Sequence, residues 1–361
     1  MLQAVDEAAA LEDLHNQGCT DGLPVVIPTA YRVSRMVLAS GMEADMLLGT
    51  MGPGGGVATI EKVAIAAVMA GCLPDYMPIV VAAVKAVLDP AFDLTEMQAT
   101  THCTAPLIIV NGPTRHNNGP VSSGFAALGP GHRANASIGR ALRLAMINIG
   151  GGRPGESDMA LLGHPGKFTY CIAEDEENSP FPPLHVSLGF NETDSVVTVI
   201  GAEAPHSVMF SGDADDPNDH NHLLEMLSIG LANLATNNAV LGSGSATVIL
   251  NPDHAQTLAK AGLGREQIAH KLYELCVHDT SEIARLIPGF AGGFAGGFAG
   301  RQSENKKRYC FDSPSQILIL MAGGGGLYSM VMPSWCAGAH KNSACSVLVE
   351  ADQYCEIPGL A

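Results

Sequence analysis

Several histidines and carboxylates of this chain occupy positions from which α/β proteins carry out proton transfer. His102 directly precedes an apolar run, and His164 is followed by a proline, which restricts its backbone to an extended or turn conformation. Glu174 comes directly after the predicted strand 168–173. Imidazoles and carboxylates act as general acids and bases when their surroundings bring the pKa near the working pH. We therefore expect His102, His164 and Glu174 to be catalytic.

A fourth candidate catalytic group is Glu61. Glu61 and Lys62 are the only charged residues of TIEKVAIAAVMAGC, residues 59–72, which is apolar on nearly every side and is predicted to be a buried helix. A carboxylate in such a helix costs several kcal/mol unless it is paired. An ion pair with Lys62 or with a nearby arginine is the structural alternative.

Arginine and asparagine beside glycine-rich turns are the candidate substrate-binding groups. LGPGHRANASIGR, residues 128–140, places a turn before Arg133 and Asn135 at the start of a predicted helix. A guanidinium at that position can hold a carboxylate or a phosphate through two hydrogen bonds. Asn111 and His185 complete the predicted substrate-binding set.

Basic residues are concentrated in this part of the chain. Only 19 residues are Lys or Arg, yet several fall between 133 and 153, and GGGRPG at 150–155 presents Arg153 from another glycine-rich turn. One interpretation is an anion-binding site. The other is that these arginines fix loops to acidic residues such as Glu156 or Asp158, and both remain open.

Recognised motifs for metals or nucleotides do not occur in these segments. The sequence contains no HExxH and no Cys₂His₂ spacing, so we predict neither a metal nor a cofactor. MGPGGGV at 51–57 is neither a GxGxxG fingerprint after a strand nor a Walker loop. It is predicted to bind an anion through backbone N–H groups, or to be a tight turn that lets backbone segments pack closely.

Cysteine usage indicates a reduced chain and supplies an alternative chemistry. Nine cysteines without a CxxC pair predict mostly buried thiols. Cys103 beside His102, and Cys336 near His340, are the candidate reactive thiols. Adjacent side chains of an extended segment point in different directions, so Cys103 and His102 are not expected to bond each other.

Composition and charge exclude several classes of partner. The 361 residues carry a formal net charge of −17 and show a small basic cluster only at residues 306–308, so neither nucleic acid nor an anionic membrane is an expected partner. No run of about 18 uncharged apolar residues occurs, and residues 1–16 lack the basic start of a secretory signal. We expect a cytoplasmic protein that acts on a small molecule.

Short apolar runs bounded by glycine and proline predict the strands that must position these groups. Because the runs are continuously apolar, the strands are predicted to be covered on both faces. The predicted strands are 24–28, 107–110, 168–173, 196–200, 247–250 and 317–321. The predicted helices are 59–72, 76–88, 138–149, 221–235, 253–261 and 264–277.

The alternation of strands and helices predicts an α/β fold with mixed sheets and helices on both faces. The acidic segment SGDADDPNDH, residues 211–220, predicts a boundary between two lobes, 1–210 and 211–361. The second lobe contains GFAGGFAGGFAG at 289–300, which is predicted to be a surface loop. The functional alternative is a mobile lid over the active site.

A resemblance to a known family is carried by five segments: DGLPVVIPT (21–29), ATIEKVAIAAVMAGC (58–72), QATTH (98–102), LGPGHRANASIGRA (128–141) and LGHPGKFTYCIAEDEENSPFPPLH (162–185). They resemble a poorly characterised bacterial and fungal family whose members often accompany a small thiol or selenol protein with a (seleno)cysteine-Gly-Ser-Cys motif. The resemblance implies a metabolic role with such a partner. Cys103-Thr104 departs from the Pro-Ala of the family pattern, which suits a specialised secondary metabolism.

The sequence therefore predicts an enzyme that uses acid–base chemistry on a substrate with a carboxylate or carbonyl group. A cofactor-independent lyase, hydratase or cyclase of biosynthesis, acting as a homodimer or other homo-oligomer, is the leading hypothesis. A thiol-dependent oxidoreductase component, a hydrolase and a non-catalytic subunit are the alternatives. The sharpest expectation is that His102, Arg133, His164 and Glu174 line one cleft, because each stands where a strand or helix begins or ends.

Overall fold

The structure is a computed structural model that describes residues 4–117, 119–213, 215–288 and 307–350. The predicted loop at 289–300 lies outside these residues. The helices are α1 (Glu7–Asn16), α2 (Ala30–Ser40), α3 (Ile60–Ala70), α4 (Met77–Leu88), α5 (Leu94–Ala99), α6 (Arg133–Asn148), α7 (Leu184–Ser187), α8 (Asp219–Leu231), α9 (Asn237–Leu241), α10 (Pro252–Lys260), α11 (Arg265–Leu275) and α12 (Thr280–Leu286). The strands are β1 (Leu47–Met51), β2 (Gly56–Thr59), β3 (Ala105–Asn111), β4 (Cys171–Ala173), β5 (Val196–Ala202), β6 (His206–Met209), β7 (Ala246–Leu250), β8 (Val277–Asp279), β9 (Lys307–Tyr309), β10 (Ile317–Met321), β11 (Tyr328–Met332) and β12 (Cys345–Leu348).

Two mixed four-stranded sheets form the centre of the protein. The first has the order β12-β5-β3-β4, with β3 parallel to β4 and antiparallel to β5. The second has the order β10-β7-β11-β6, with β10 parallel to β7. The α/β class and the mixed sheets predicted from the sequence are confirmed.

The two sheets pack against each other through alternate residues of their strands. Leu107 and Ile109 of β3 share a buried cluster with Leu318 and Leu320 of β10. Successive side chains of a strand point to opposite faces, so the residues between them face away from the partner sheet. Each fully buried aliphatic side chain contributes roughly 1.5–3 kcal/mol of hydrophobic stabilisation. Because both faces of these strands are buried, every position along them has to be apolar.

Helices cover the two outer faces of the sheet pair. Ile108 and Val110 of β3 lie in one cluster with the apolar sides of α3, α4 and α6. Val248 of β7 and Ile319 of β10 lie in another with α8, α10 and α11. The layers thus run helix, sheet, sheet, helix. Within the described residues, no helix combines the length and apolarity needed to cross a membrane.

The predicted strand at 24–28 is wrong. It is an extended segment whose Val26 N–H donates to the carbonyl of Met69 at the end of α3. Pro24 and Pro28 have no N–H group, so the segment cannot supply a continuous strand ladder. The predicted strand 168–173 is shortened to β4, because Phe168 ends the 3₁₀ turn Pro165–Lys167 in a helical rather than an extended conformation and the strand begins only at Cys171.

Strand pairing crosses the boundary that was predicted at residue 210. β6 ends before that position and belongs to the second sheet, whereas β12, from the end of the described chain, pairs with β5 in the first. The acidic segment leads into α8, and its carboxylates accept local backbone N–H bonds.

The glycines of MGPGGGV serve close packing between backbone segments. They form the turn between β1 and β2, and Gly54 N–H donates to the carbonyl of Gly150 at 2.7 Å. A Cβ at Gly56 would lie 1.9 Å from the carbonyl oxygen of Ile149, so only glycine fits there. Of the two interpretations of this segment, the tight turn is the one that the contacts support.

Candidate functional site

His102 lies at the amino-terminal end of β3 and pairs with a carboxylate that the sequence analysis did not identify. Its Nε2 is 2.9 Å from Oε1 of Glu203, and the two side chains are 17% and 23% exposed. Tyr170 donates its hydroxyl to the main-chain carbonyl of Glu203 at 2.8 Å. Glu203 follows β5, and the antiparallel register Ala105↔Ala202 is what brings it beside His102.

His164 joins the same group of residues from the opposite side. Its Nδ1 accepts the N–H of Gly166 at 3.1 Å, which caps the turn Pro165–Lys167. Its ring meets the ring of Tyr170 edge-on, with centroids 5.7 Å apart. Burial lowers the pKa of His164 to about 4, and the nearby charge of Lys167 adds to that effect. His164 is therefore neutral at physiological pH.

Lys167 also lines a cavity of about 500 Å³. This volume is within the range of small-molecule sites. Its walls come from the loop 18–22, from one face of α6, from the loop 152–158 and from the turn that carries Lys167. The lining residues are Gly18, Thr20, Asp21, Gly22, Arg143, Ile147, Gly152, Arg153, Pro154, Glu156, Asp158, Lys167 and Phe168.

Two cations share one carboxylate in this cavity. Asp158 Oδ1 is 2.7 Å from Lys167 Nζ, and its Oδ2 is 3.4 Å from Arg143 Nη1. The side chains of Asp158, Arg143 and Lys167 are only 7%, 8% and 16% exposed. Burial lowers the pKa of Lys167, and Arg143 lowers it further, while Asp158 opposes the change. Among these three side chains the cations outnumber the carboxylates by one, and the cavity wall also carries Arg153, Glu156 and Asp21.

The sequence positions these groups through α6. Arg143 and Ile147 are four residues apart, so they share a helix face that lines the cavity. Arg143 also donates Nε–H to the carbonyl of Lys167 at 2.6 Å and Nη1–H to Gln98 at 3.3 Å. Its Nη2 makes no hydrogen bond with the described residues. Through Arg143, α6 therefore fixes the turn that carries Lys167, and the Nη2 group of Arg143 is left as a hydrogen-bond donor.

The wall at residues 18–22 is attached by the other basic residues of this region. Arg140 holds Asp21 through two hydrogen bonds of 2.7 and 2.8 Å. Arg153 donates Nη1–H to the carbonyl of Gly18 at 3.2 Å. The arginines between residues 133 and 153 therefore have both of the expected roles. Some fix loops through hydrogen bonds and ion pairs, and some line a cavity.

Glu174, Asn111 and His185 come together at the opposite, carboxyl-terminal end of β3. Glu174 is completely buried, and it accepts hydrogen bonds from Asn111 Nδ2 at 2.6 Å, from Leu184 N at 2.7 Å and from Arg265 Nη2 at 2.7 Å. His185 is also completely buried, 3.9 Å from Glu176. Since Arg265 begins α11, this cluster connects the two sheets.

The four residues that were predicted to line one cleft do not come together. The seven residues of β3 span about 20 Å at roughly 3.3 Å per residue, and His102 and the Glu174 cluster lie at its opposite ends. His102 contacts Glu203, whose charge also acts on His164, and His164 contacts Tyr170, which bonds the carbonyl of Glu203. Arg133 lies elsewhere, with Nε and Nη2 donating to the carbonyl of Gly71 at 3.2 and 3.0 Å.

Asn135 and Glu61 have surroundings that differ from those expected. The Asn135 amide is buried and saturated, since it donates to the carbonyls of Ser122, Ala127 and Cys171 and accepts from Ser122 N. Glu61 is exposed at the first turn of α3. The burial cost that made Glu61 a candidate therefore does not arise, because the polar end of the apolar stretch reaches the surface.

Sequence reasoning missed Lys167 and Glu203. Lys167 had a recognisable signal, because GHPGK places one of few basic residues at the end of a Pro-Gly turn. Glu203 had none, because its pairing with His102 depends on a strand register that joins residues 101 positions apart.

A second cavity of about 520 Å³ is lined by four aspartates, Asp213, Asp216, Asp219 and Asp253, together with Lys260. Three of these carboxylates accept backbone or side-chain bonds of the segment before α8, which accounts for their presence. Across the described ranges, no three His, Cys, Asp or Glu side chains lie close enough together to hold a metal ion.

Comparison with known proteins adds no relative: no protein-family model, curated protein or solved structure matches this chain.

Proposed function

We propose that this protein is an enzyme that binds a small carboxylate in the cavity at Lys167 and carries out acid–base chemistry on it, of the lyase, hydratase or cyclase type. The observation that carries the proposal is the shared carboxylate of Asp158, which faces both Arg143 and Lys167 at the wall of a cavity of about 500 Å³. Two largely buried cations that share one carboxylate are only partly neutralised by it, which is costly where water is excluded. A bound anion relieves that cost.

Hydrogen-bond donors for such an anion are present. Arg143 Nη2 has no partner among the described residues, and Lys167 Nζ has Asp158 as its one hydrogen-bond partner there. Arg153 uses a single N–H on Gly18. A guanidinium binds a carboxylate through two parallel hydrogen bonds, so this donor set favours a carboxylate ligand. Ile147 and Phe168 add apolar surface for the rest of the molecule.

Proton transfer is assigned to Lys167 and Asp158. Their contact of 2.7 Å lets a proton move between the amine and the carboxylate. Burial lowers the pKa of Lys167, so this pKa lies closer to the working pH than the pKa of an exposed lysine does. An unprotonated amine can remove a proton next to a carboxylate and return it.

The thiol alternative receives no support from the cysteines themselves. Burial raises the pKa of Cys103, and the charge of Glu203 raises it further. Burial raises the pKa of Cys336 to about 12. A thiolate is the nucleophile in thiol chemistry, so both environments oppose the reactive form.

The test uses short carboxylates with the full chain. Lactate, malate and succinate should raise the melting temperature, and bound malate should exchange carbon-bound hydrogen for deuterium in D₂O, as followed by proton NMR. Lys167→Gln should abolish both effects, whereas Lys62→Gln, at an exposed lysine outside the cavity, should retain them. Equal binding and exchange in the two variants would remove the proposal.

The biological setting is also proposed. We place the enzyme in the cytoplasm and in secondary metabolism, and we propose that it acts as a homodimer with a thiol or selenol partner protein. Light scattering on the purified chain tests the dimer, and co-purification with a tagged copy tests the partner.

A further inference from the structure

The amine of Lys167 is held in place more firmly than binding an anion requires. Lys167 ends the turn Pro165–Lys167, which His164 caps from its start. Arg143 clamps the main-chain carbonyl of Lys167 at 2.6 Å, and Asp158 holds Nζ at 2.7 Å. Backbone and side chain are thus both fixed, so the nitrogen has a defined position in the cavity wall.

Burial and the charge of Arg143 favour an unprotonated amine, and the contact with Asp158 opposes them. The side chain of Lys167 is 16% exposed, and burial together with Arg143 lowers its pKa. An unprotonated amine is a nucleophile toward carbonyl carbon, and buried lysines are the usual Schiff-base residues of enzymes. Asp158 is in contact to accept the proton that the ammonium releases.

Resting on the carboxylate site assigned above, we propose that Lys167 forms an imine with a small 2-oxo acid bound in the cavity. The amine nitrogen bonds to the carbonyl carbon and gives a carbinolamine. Asp158 delivers a proton to the hydroxyl group, which leaves as water, and a C=N bond remains. One amine and one carbonyl are consumed and one water is released, so the step needs no oxidant or reductant.

A 2-oxo acid, rather than a simple aldehyde, follows from the donors beside the amine. Arg143 Nη2 and the unused N–H groups of Arg153 bind the carboxylate. The amine of Lys167 then attacks the carbonyl carbon next to that carboxylate. The imine withdraws electrons from the neighbouring carbon–carbon or carbon–hydrogen bond. Breaking that bond is the step that a lyase-type enzyme has to accelerate.

The experiment traps the imine chemically. The full chain is incubated with pyruvate and cyanoborohydride, digested, and analysed by mass spectrometry for reduced adducts on each lysine. We expect Lys167 to carry several times the adduct of the exposed Lys62, because the cavity holds pyruvate beside its amine and burial lowers its pKa. Lys167→Arg should lose the adduct and keep the melting temperature, and Lys62→Arg should keep both.

Lactate separates this inference from the proposed function, since it has the carboxylate of pyruvate but no carbonyl group. If lactate stabilises the wild-type chain and Lys167 is labelled no more than Lys62, the imine is overturned and the carboxylate site stands. If neither lactate nor pyruvate binds and no adduct forms, both are overturned. Selective labelling at Lys167 that lactate suppresses supports both.

Discussion

Arg143 donates its Nε–H to the main-chain carbonyl of Lys167 at 2.6 Å, so a residue in the middle of α6 fixes the turn that presents the amine to the cavity. The same guanidinium reaches Asp158, the carboxylate that Lys167 also uses. The position of the Lys167 turn and the charge balance at Asp158 therefore both depend on Arg143, whose side chain is 8% exposed.

Replacing Arg143 with methionine should destabilise the protein. The change removes charge-assisted hydrogen bonds to the Lys167 carbonyl and to Asp158, so we expect the free energy of unfolding to fall by about 1.5–3 kcal/mol. Urea denaturation measures it. Arg35→Met, at an exposed arginine of α2, is the control and should stay within about 0.5 kcal/mol. Equal losses in the two variants would contradict the role of Arg143.

Acidification should destabilise the protein through His164. Its pKa is about 4 when folded and 6.5 ordinarily, so between these values the unfolded chain binds more protons and the free energy of unfolding falls as the pH falls. His164→Asn keeps an acceptor for Gly166 N–H but cannot titrate, and it should flatten this dependence. Denaturant midpoints at pH 7 and pH 5 give the slope. The exposed His270→Asn variant should show the wild-type slope; a wild-type slope in His164→Asn would count against the prediction.

Glu174→Gln distinguishes a structural carboxylate from a catalytic one. Removing one partner of a buried ion pair leaves Arg265 with an uncompensated charge, at a cost of about 3–5 kcal/mol in the free energy of unfolding. The exposed pair Glu7–Arg32 supplies the control, since Glu7→Gln should cost at most about 1 kcal/mol. Lactate binding should persist in the folded Glu174→Gln variant. A stable variant without malate exchange would instead favour the catalytic role predicted from the sequence.

Glu203→Gln should make Cys103 more reactive. The carboxylate of Glu203 raises the pKa of the Cys103 thiol, after burial, so its removal lowers that pKa and increases the thiolate fraction. The rate of iodoacetamide alkylation at Cys103, followed by peptide mass spectrometry at pH 8, should rise. Cys19, which is also partly exposed, is the internal reference and should react as in the wild type. An unchanged rate at Cys103 would show that Glu203 does not act on this thiol.

Local sequence determined most of the elements. β3, β5, β7 and β10 were predicted from continuous apolar runs, because a strand that is covered on both faces has to be apolar at every position. α10 followed from Asn251 as its cap and Pro252 as its first residue, and Asn251 does accept the N–H of His254. Such signals act within a few residues, so they can be read without knowing the fold.

The meeting of the polar groups was decided by tertiary structure. His102 reaches Glu203 across 101 positions through the register of β3 and β5, and Glu174 reaches Arg265 across 91 positions through the packing of the two sheets. The prediction of one cleft was wrong because it treated the beginning and the end of a strand as the same location. His102 lies before the first residue of β3 and Glu174 contacts its last, and the seven residues of the strand keep them apart. Asp158 was named from the sequence as a possible partner of the arginines between residues 133 and 153, and its joint contact with Arg143 and Lys167 required α6 to lie over the turn. Hydrophobic periodicity is local and specifies which face is buried, but a charge is stabilised by partners at any distance along the chain, so only the folded chain determines which of them it meets.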